Sequence, residues 1–73
     1  MANEVVESPM PGKILSISVK VGDSVKEDQE IAVLEAMKME NSICATASGK
    51  ITEIAVSAGA MVDSGQKIFV IEK

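Results

Sequence analysis

Polar and apolar residues alternate in two stretches of the chain. Ile17, Val19 and Val21 interleave with Ser16, Ser18 and Lys20, and Ile54, Val56 and Ala58 interleave with Glu53, Ala55 and Ser57. A period of two puts every second side chain on one face, so each stretch predicts a half-buried strand. Two other runs, Glu30 to Ala36 and Lys67 to Ile71, are almost continuously apolar. Such runs predict strands covered on both faces, as in a sandwich or flattened barrel. Val21-Gly22-Asp23-Ser24 supplies a glycine-centred turn, followed by a short strand near Val25 and a charged turn at Lys26-Glu27-Asp28. Pro9 and Pro11 exclude a helix at the start and leave Val5-Val6 as an edge strand. The pattern predicts an all-β protein of seven or eight short strands without helix.

The elements come in two copies. Shifted by 37 positions, Gly12 to Ala36 aligns without a gap on Gly49 to Lys73, and 11 of the 25 pairs are identical. Most of these are glycines or β-branched residues, the positions that backbone geometry and packing control. Two copies are too few for a solenoid. They predict one domain with an internal pseudo-two-fold axis. The repeated glycines, Gly12/Gly49 and Gly22/Gly59, are expected in turns, at least one pair with positive φ.

Between the copies lies a connector, Met37 to Ser48. Met39 to Ala45 can pair back on Glu30 to Ala36 as a hairpin, with Ile43 and Ala45 facing inward and Met37-Lys38 at the tip. Tight hairpin turns favour Gly, Asn or Asp because the backbone must enter φ > 0. Here two methionines flank a lysine instead. Such a local conflict with turn chemistry is expected at a functional site.

Composition narrows the chemistry. Of 73 residues 47% are hydrophobic but only Phe69 is aromatic, so Ile, Val, Leu, Met and Ala must form the core. The absence of His excludes Ser-His-Asp and Cys-His catalysis and imidazole ligands, and one cysteine, Cys44, excludes an internal disulfide or a thiolate zinc site. No nucleic-acid partner is expected from a chain of net charge −4 without arginine. No apolar run is long enough to insert in a membrane, and Met1-Ala2-Asn3-Glu4 does not read as a signal peptide. A lone cysteine fits a cytoplasmic location.

Glu35-Ala36-Met37-Lys38-Met39-Glu40 resembles the attachment motif of biotinyl domains, also called biotin carboxyl carrier domains. Ser8-Pro9-Met10-Pro11-Gly12 is similar to the family's lead-in segment, and Val21-Gly22-Asp23 and Ala47-Ser48-Gly49 are similar to its turns. The resemblance covers residues 4–73, taken as one biotinyl domain after a disordered stretch at residues 1–3. It implies a flattened β-barrel (a barrel-sandwich hybrid) of two four-stranded sheets, with the modified lysine at a hairpin tip.

The resemblance also implies a non-catalytic carrier. A biotin protein ligase would join biotin's carboxylate to the Lys38 amine as an amide, taking the formal charge from −4 to −5. The amine must lose a proton before it attacks. The domain would then shuttle a carboxyl group between biotin carboxylase or decarboxylase and carboxyltransferase sites, and as an isolated domain it is expected to be monomeric. The short path from Val19 to Val25 leaves no room for the protruding thumb of some acetyl-CoA carboxylase carriers. This is similar to the thumb-less domains of acyl-CoA or oxaloacetate decarboxylases, pyruvate and propionyl-CoA carboxylases, and transcarboxylases.

Each residue around the lysine has a plainer alternative. Met37 and Met39 read as ligase recognition or as gap-filling core. Ala36, Glu35 and Glu40 belong to the motif, but Glu35 has the repeat partner Glu72, so a solvated face also explains it. Cys44 reads as a small buried hydrophobe, and Met10 and Met61 as packing residues. A lipoyl domain would carry Asp before and Ala after the lysine, where this chain has Met37 and Met39. An unmodified interaction module of the same fold is the other alternative.

Overall fold

The computed structural model describes residues 3–73. Eight strands follow in chain order: β1 (Asn3–Glu7), β2 (Gly12–Ile17), β3 (Ser24–Val25), β4 (Glu30–Ala36), β5 (Met39–Cys44), β6 (Gly49–Ile54), β7 (Met61–Val62) and β8 (Lys67–Glu72). Among the described residues no helix forms, and none is long and apolar enough to cross a membrane. Two four-stranded antiparallel sheets form, ordered β1-β8-β6-β3 and β5-β4-β2-β7. Asn3, expected to precede the ordered domain, opens β1 opposite Glu72. Met1 and Ala2, the rest of that expected disordered stretch, lie outside the described residues.

The symmetry reaches further than the sequence alignment. The 37-residue shift carries β2, β3 and β4 onto β6, β7 and β8, and it also carries β1 onto β5. Glu72 faces Asn3 as Glu35 faces Glu40, Phe69 faces Val6 as Ala32 faces Ile43, and Lys67 faces Glu7 as Glu30 faces Cys44. Register shifts recur at equivalent places, between Ile14/Ser16 and Ile51/Glu53. Ser8 exchanges backbone hydrogen bonds with Gln66 and Gly65 as Ala45 does with Gln29 and Asp28. Residues 3–36 and 40–73 therefore carry the same pairing scheme. Met37 and Lys38 link the two and pair in neither.

One core lies between the sheets. Its fully buried large side chains are Phe69, Ile14, Ile31, Leu34, Ile51, Ile68 and Ile71, mostly as repeat pairs. Burying each such side chain contributes about 1.5–3 kcal/mol. Phe69, the one aromatic side chain, is fully buried where its repeat partner is the small Ala32.

Three expectations need correction. The alternating stretches begin later than the ladders they were expected to form: β2 ends at Ile17 and β6 at Ile54. Beyond them the chain stays extended for one further bond, Ser18 N–H to the Ile31 carbonyl and Ala55 N–H to that of Ile68. Val19 and Val56 still pack on the core, so the alternation reports burial and not ladder length. Gly12 and Gly49 are not in turns but open β2 and β6, where a Cβ would collide with the carbonyl oxygens of Glu35 and Glu72. Gly22 and Gly59 do sit in turns, at φ 99° and 91°. Met61, expected as packing, is 71% exposed, because β7 is a two-residue edge strand and only Val62 turns inward. Met10 packs on the core as expected.

Candidate functional site

The hairpin of β4 and β5 joins the two copies of the pairing scheme. Ala36 and Met39 close it, leaving Met37 and Lys38 as a two-residue loop. Their φ values are 55° and 65°. Positive φ at both central positions is the type I′ arrangement, whose twist matches that of the flanking strands. Neither residue is Gly, Asn or Asp, and a left-handed backbone costs an ordinary residue about 1–2 kcal/mol. The expected conflict at the tip is thus a real one, and the ladder beneath it is what holds the turn. Ile43, facing inward as expected, anchors that ladder in the core, and Asn41 Nδ2 donates to the Met39 carbonyl at 3.3 Å.

The tip is displayed and not packed. Met37 is 92% exposed and Met39 66% exposed, so neither fills a core gap. Ala36 is the last inward-facing buried residue before the turn. One rung below the tip, Glu35 faces Glu40 across the ladder and Lys13 on its other side, all three exposed. The two carboxylates share a solvated face of the sheet.

The Lys38 amine has no ion-pair partner among the described residues. The ion pairs that form there are Lys67 to Glu53 at 3.0 Å and Lys73 to Glu4 at 3.5 Å. No pocket opens on the described surface. The arrangement suits an amine that another protein acylates, on a mount stiff enough to keep it in view. Cys44, on β5, is a free, half-buried thiol.

The family model described as "Biotin-requiring enzyme" matches residues 4–71. The chain belongs to this family. Over 70 residues this biotin-requiring family member is 46% identical to the biotin carboxyl carrier protein of Streptococcus mutans, covering 96% of this chain and 54% of that protein. It is 44% identical over 70 residues to the mitochondrial propionyl-CoA carboxylase alpha chain of Sus scrofa, covering 96% of this chain and 10% of the other. The chain therefore spans about half the length of the first relative and about a tenth of the second. Among solved structures it is similar to the urea carboxylase of Kluyveromyces lactis, with a TM-score of 0.90 and 33% identity over 99% of this chain and 6% of that one. The all-β barrel expected from the resemblance is the fold that these comparisons share.

Sequence reasoning placed Met37 and Lys38 at the hairpin tip, where the structure has them, but missed what supports that tip. Gly12 lets the Glu35 carbonyl approach β2 closely, just below the hairpin stem. Its repetition as Gly49 was the available signal, read as a turn and not as a close approach.

Proposed function

We propose that this chain is a biotin carboxyl carrier domain whose biotin is held as an amide on Lys38. One observation carries the reading: the Lys38 amine, without an ion-pair partner among the described residues, sits in the link between the two copies, in a left-handed turn that lacks turn-forming residues. The residues present fit the cofactor, since acylation needs a free primary amine and room around it. When bound, biotin supplies a ureido nitrogen that accepts and releases a carboxyl group.

The chain's own residues supply presentation. The β4–β5 ladder fixes where the lysine leaves the domain, and the four-carbon lysine stem gives reach. Tethering keeps the group at high effective concentration for any active site the domain visits. Amide formation removes the lysine's positive charge from a tip that already carries the exposed carboxylates of Glu35 and Glu40. Met37 and Met39 are read as an apolar surface that a biotin protein ligase grips, with Glu35, Ala36 and Glu40 completing the recognised stretch. The further partners are biotin carboxylase and carboxyltransferase or decarboxylase units. The domain itself makes and breaks no bonds. Its compartment is read as cytoplasmic, which the single free thiol, Cys44, supports.

The test is co-expression with a biotin ligase, followed by intact mass and peptide mapping. Wild type should gain one biotin amide at Lys38. Lys38→Arg should gain none and keep its thermal melt, since a guanidinium does not form the amide. Label found on any other of the seven lysines overturns the site. Lipoylation in place of biotin overturns the cofactor, and an unmodified lysine favours an interaction module.

A further inference from the structure

The two symmetric halves hardly pair with themselves. Within residues 3–36 the one ladder is β2–β4, and within residues 40–73 it is β6–β8. The other four ladders, β1–β8, β3–β6, β4–β5 and β2–β7, all join one half to the other. The covalent link between the halves is the strained turn at Met37 and Lys38.

We propose that two copies of this chain exchange halves by opening that turn, giving a dimer of two complete barrels joined through continuous β4–β5 strands. Exchange preserves all six ladders and the whole core, because each half finds the same partner in a second copy. The only local change is at residues 37–39. The left-handed backbone of Met37 and Lys38 relaxes to negative φ when the strand runs straight through, and short strained hinge loops favour such swapping. Opening sacrifices little apolar burial, because Met37 and Met39 are exposed in the closed hairpin. The closed form wins at low concentration, where the second half of the same chain is always nearest. The exchanged form arises when chains refold at high concentration, and it persists because separation must break eight ladders, four in each barrel. In it Lys38 lies along a strand and no longer caps a turn. Dimerisation would thereby withdraw the lysine from the ligase, a consequence that rests on the carrier reading above.

Refolding the 73-residue chain from denaturant at high and at low concentration, then sizing by light scattering, tests the exchange without any ligase. Wild type should yield a slowly dissociating dimer only at high concentration. Met37→Asn with Lys38→Gly, which supplies a relaxed type I′ turn, should lower the dimer fraction by about tenfold or more. Met37→Pro, whose ring forbids positive φ, should raise it. Exchange is separated from surface association by mixing two chains in a Cys44→Ser background. One carries Val33→Cys and the other Ser42→Cys, at positions that face each other across β4 and β5. Refolded together, they should oxidise to an interchain disulfide. Wild type that stays monomeric at high concentration overturns the proposal. So does a dimer without the interchain disulfide, or a Met37→Asn, Lys38→Gly double variant that dimerises as readily as wild type. The ligase assay on isolated dimer is read separately: failure of the carrier reading leaves the monomer unlabelled too, whereas failure of the masking consequence leaves monomer and dimer labelled alike.

Discussion

Glu35 faces Glu40 below the hairpin tip, and its repeat partner Glu72 faces Asn3 across the pseudo-two-fold axis from it. The rung at the first end reads Met61, Lys13, Glu35, Glu40; at the second it reads Ser24, Lys50, Glu72, Asn3. The Lys-Glu centre is shared and the flanks are not. At the first end two residues close a turn and leave an unpaired amine. At the second, β1 and β8 simply run side by side, and the nearby lysine, Lys73, is tied to Glu4 at 3.5 Å. The shared ladder alone therefore does not set the two ends apart. What differs is a two-residue loop that holds a lysine in a strained turn.

The sharpest way to break this comparison is to move the amine by one residue. Lys38→Met with Met39→Lys keeps composition and charge but puts the lysine on the ladder opposite Ala36, where a one-residue shift redirects the side chain. Biotinylation should nearly vanish, while stability falls by less than roughly 1.5 kcal/mol, the range of tolerated swaps. A ligase assay and a thermal melt on one sample measure both. Folded protein labelled at the wild-type rate would mean that the local sequence suffices and the turn is incidental.

The glycines that open β2 and β6 offer a second comparison. At Gly49 a Cβ would meet the Glu72 carbonyl and, at 2.8 Å, the Ile71 side chain; at Gly12 it would meet the Glu35 carbonyl and Leu34 at 3.0 Å. Backbone cannot yield as a flexible side chain can. Gly49→Ala and Gly12→Ala should each cost about 1–3 kcal/mol, the usual range for overpacking, with Gly49→Ala the more severe. Only Gly12→Ala presses on the strand that leads to Lys38, so only it should also slow labelling of the folded fraction. Equal labelling in the two variants would show that the tip is insulated from its stem.

How much of this was legible follows from what each feature demands of side chains. The hairpin, the inward Ile43 and the core-covered β4 and β8 need particular apolar residues, so they can be read directly. The pairing of β1 and β5 demands only one inward apolar side chain each, Val6 and Ile43, and is otherwise made by backbone. Asn3 to Pro11 and Glu40 to Ser48 accordingly share no identical pair, and the first third of the repeat was invisible until the registers were known. Gly12 was misread because glycine marks both positive φ and close approach, and a sequence does not say which. Asp28 lies in the turn expected of it, and holds φ 72° where its repeat partner is Gly65 at 82°.

A smaller effect separates ordinary turns from the tip. A Cβ added at Gly22 would meet nothing within 4 Å, so space is not the obstacle; the φ of 99° is. Gly22→Val should lose more than about 1 kcal/mol in a chemical melt, because a β-branched residue resists positive φ. An unchanged midpoint would mean that the turn flips at little cost, and the strain assigned to Met37 and Lys38 would then need lowering as well.

The last comparison sets stability against use at one residue. Met37 holds φ 55° with almost no burial, so the folded state gains nothing from its bulk to offset the left-handed backbone. Asn tolerates that region far better, and the first central position of a type I′ turn favours it. Met37→Asn should therefore stabilise the domain, by no more than about 1 kcal/mol. A shift of denaturant midpoint at unchanged slope would report it. The same variant removes one of the two apolar side chains beside Lys38, so biotinylation should slow although the turn is better formed. Gain in one measurement with loss in the other would identify Met37 as a residue kept for its contact with a partner at the expense of the fold. Gain in stability with undiminished labelling would return Met37 to the ordinary surface and leave Met39 as the apolar neighbour that recognition reads.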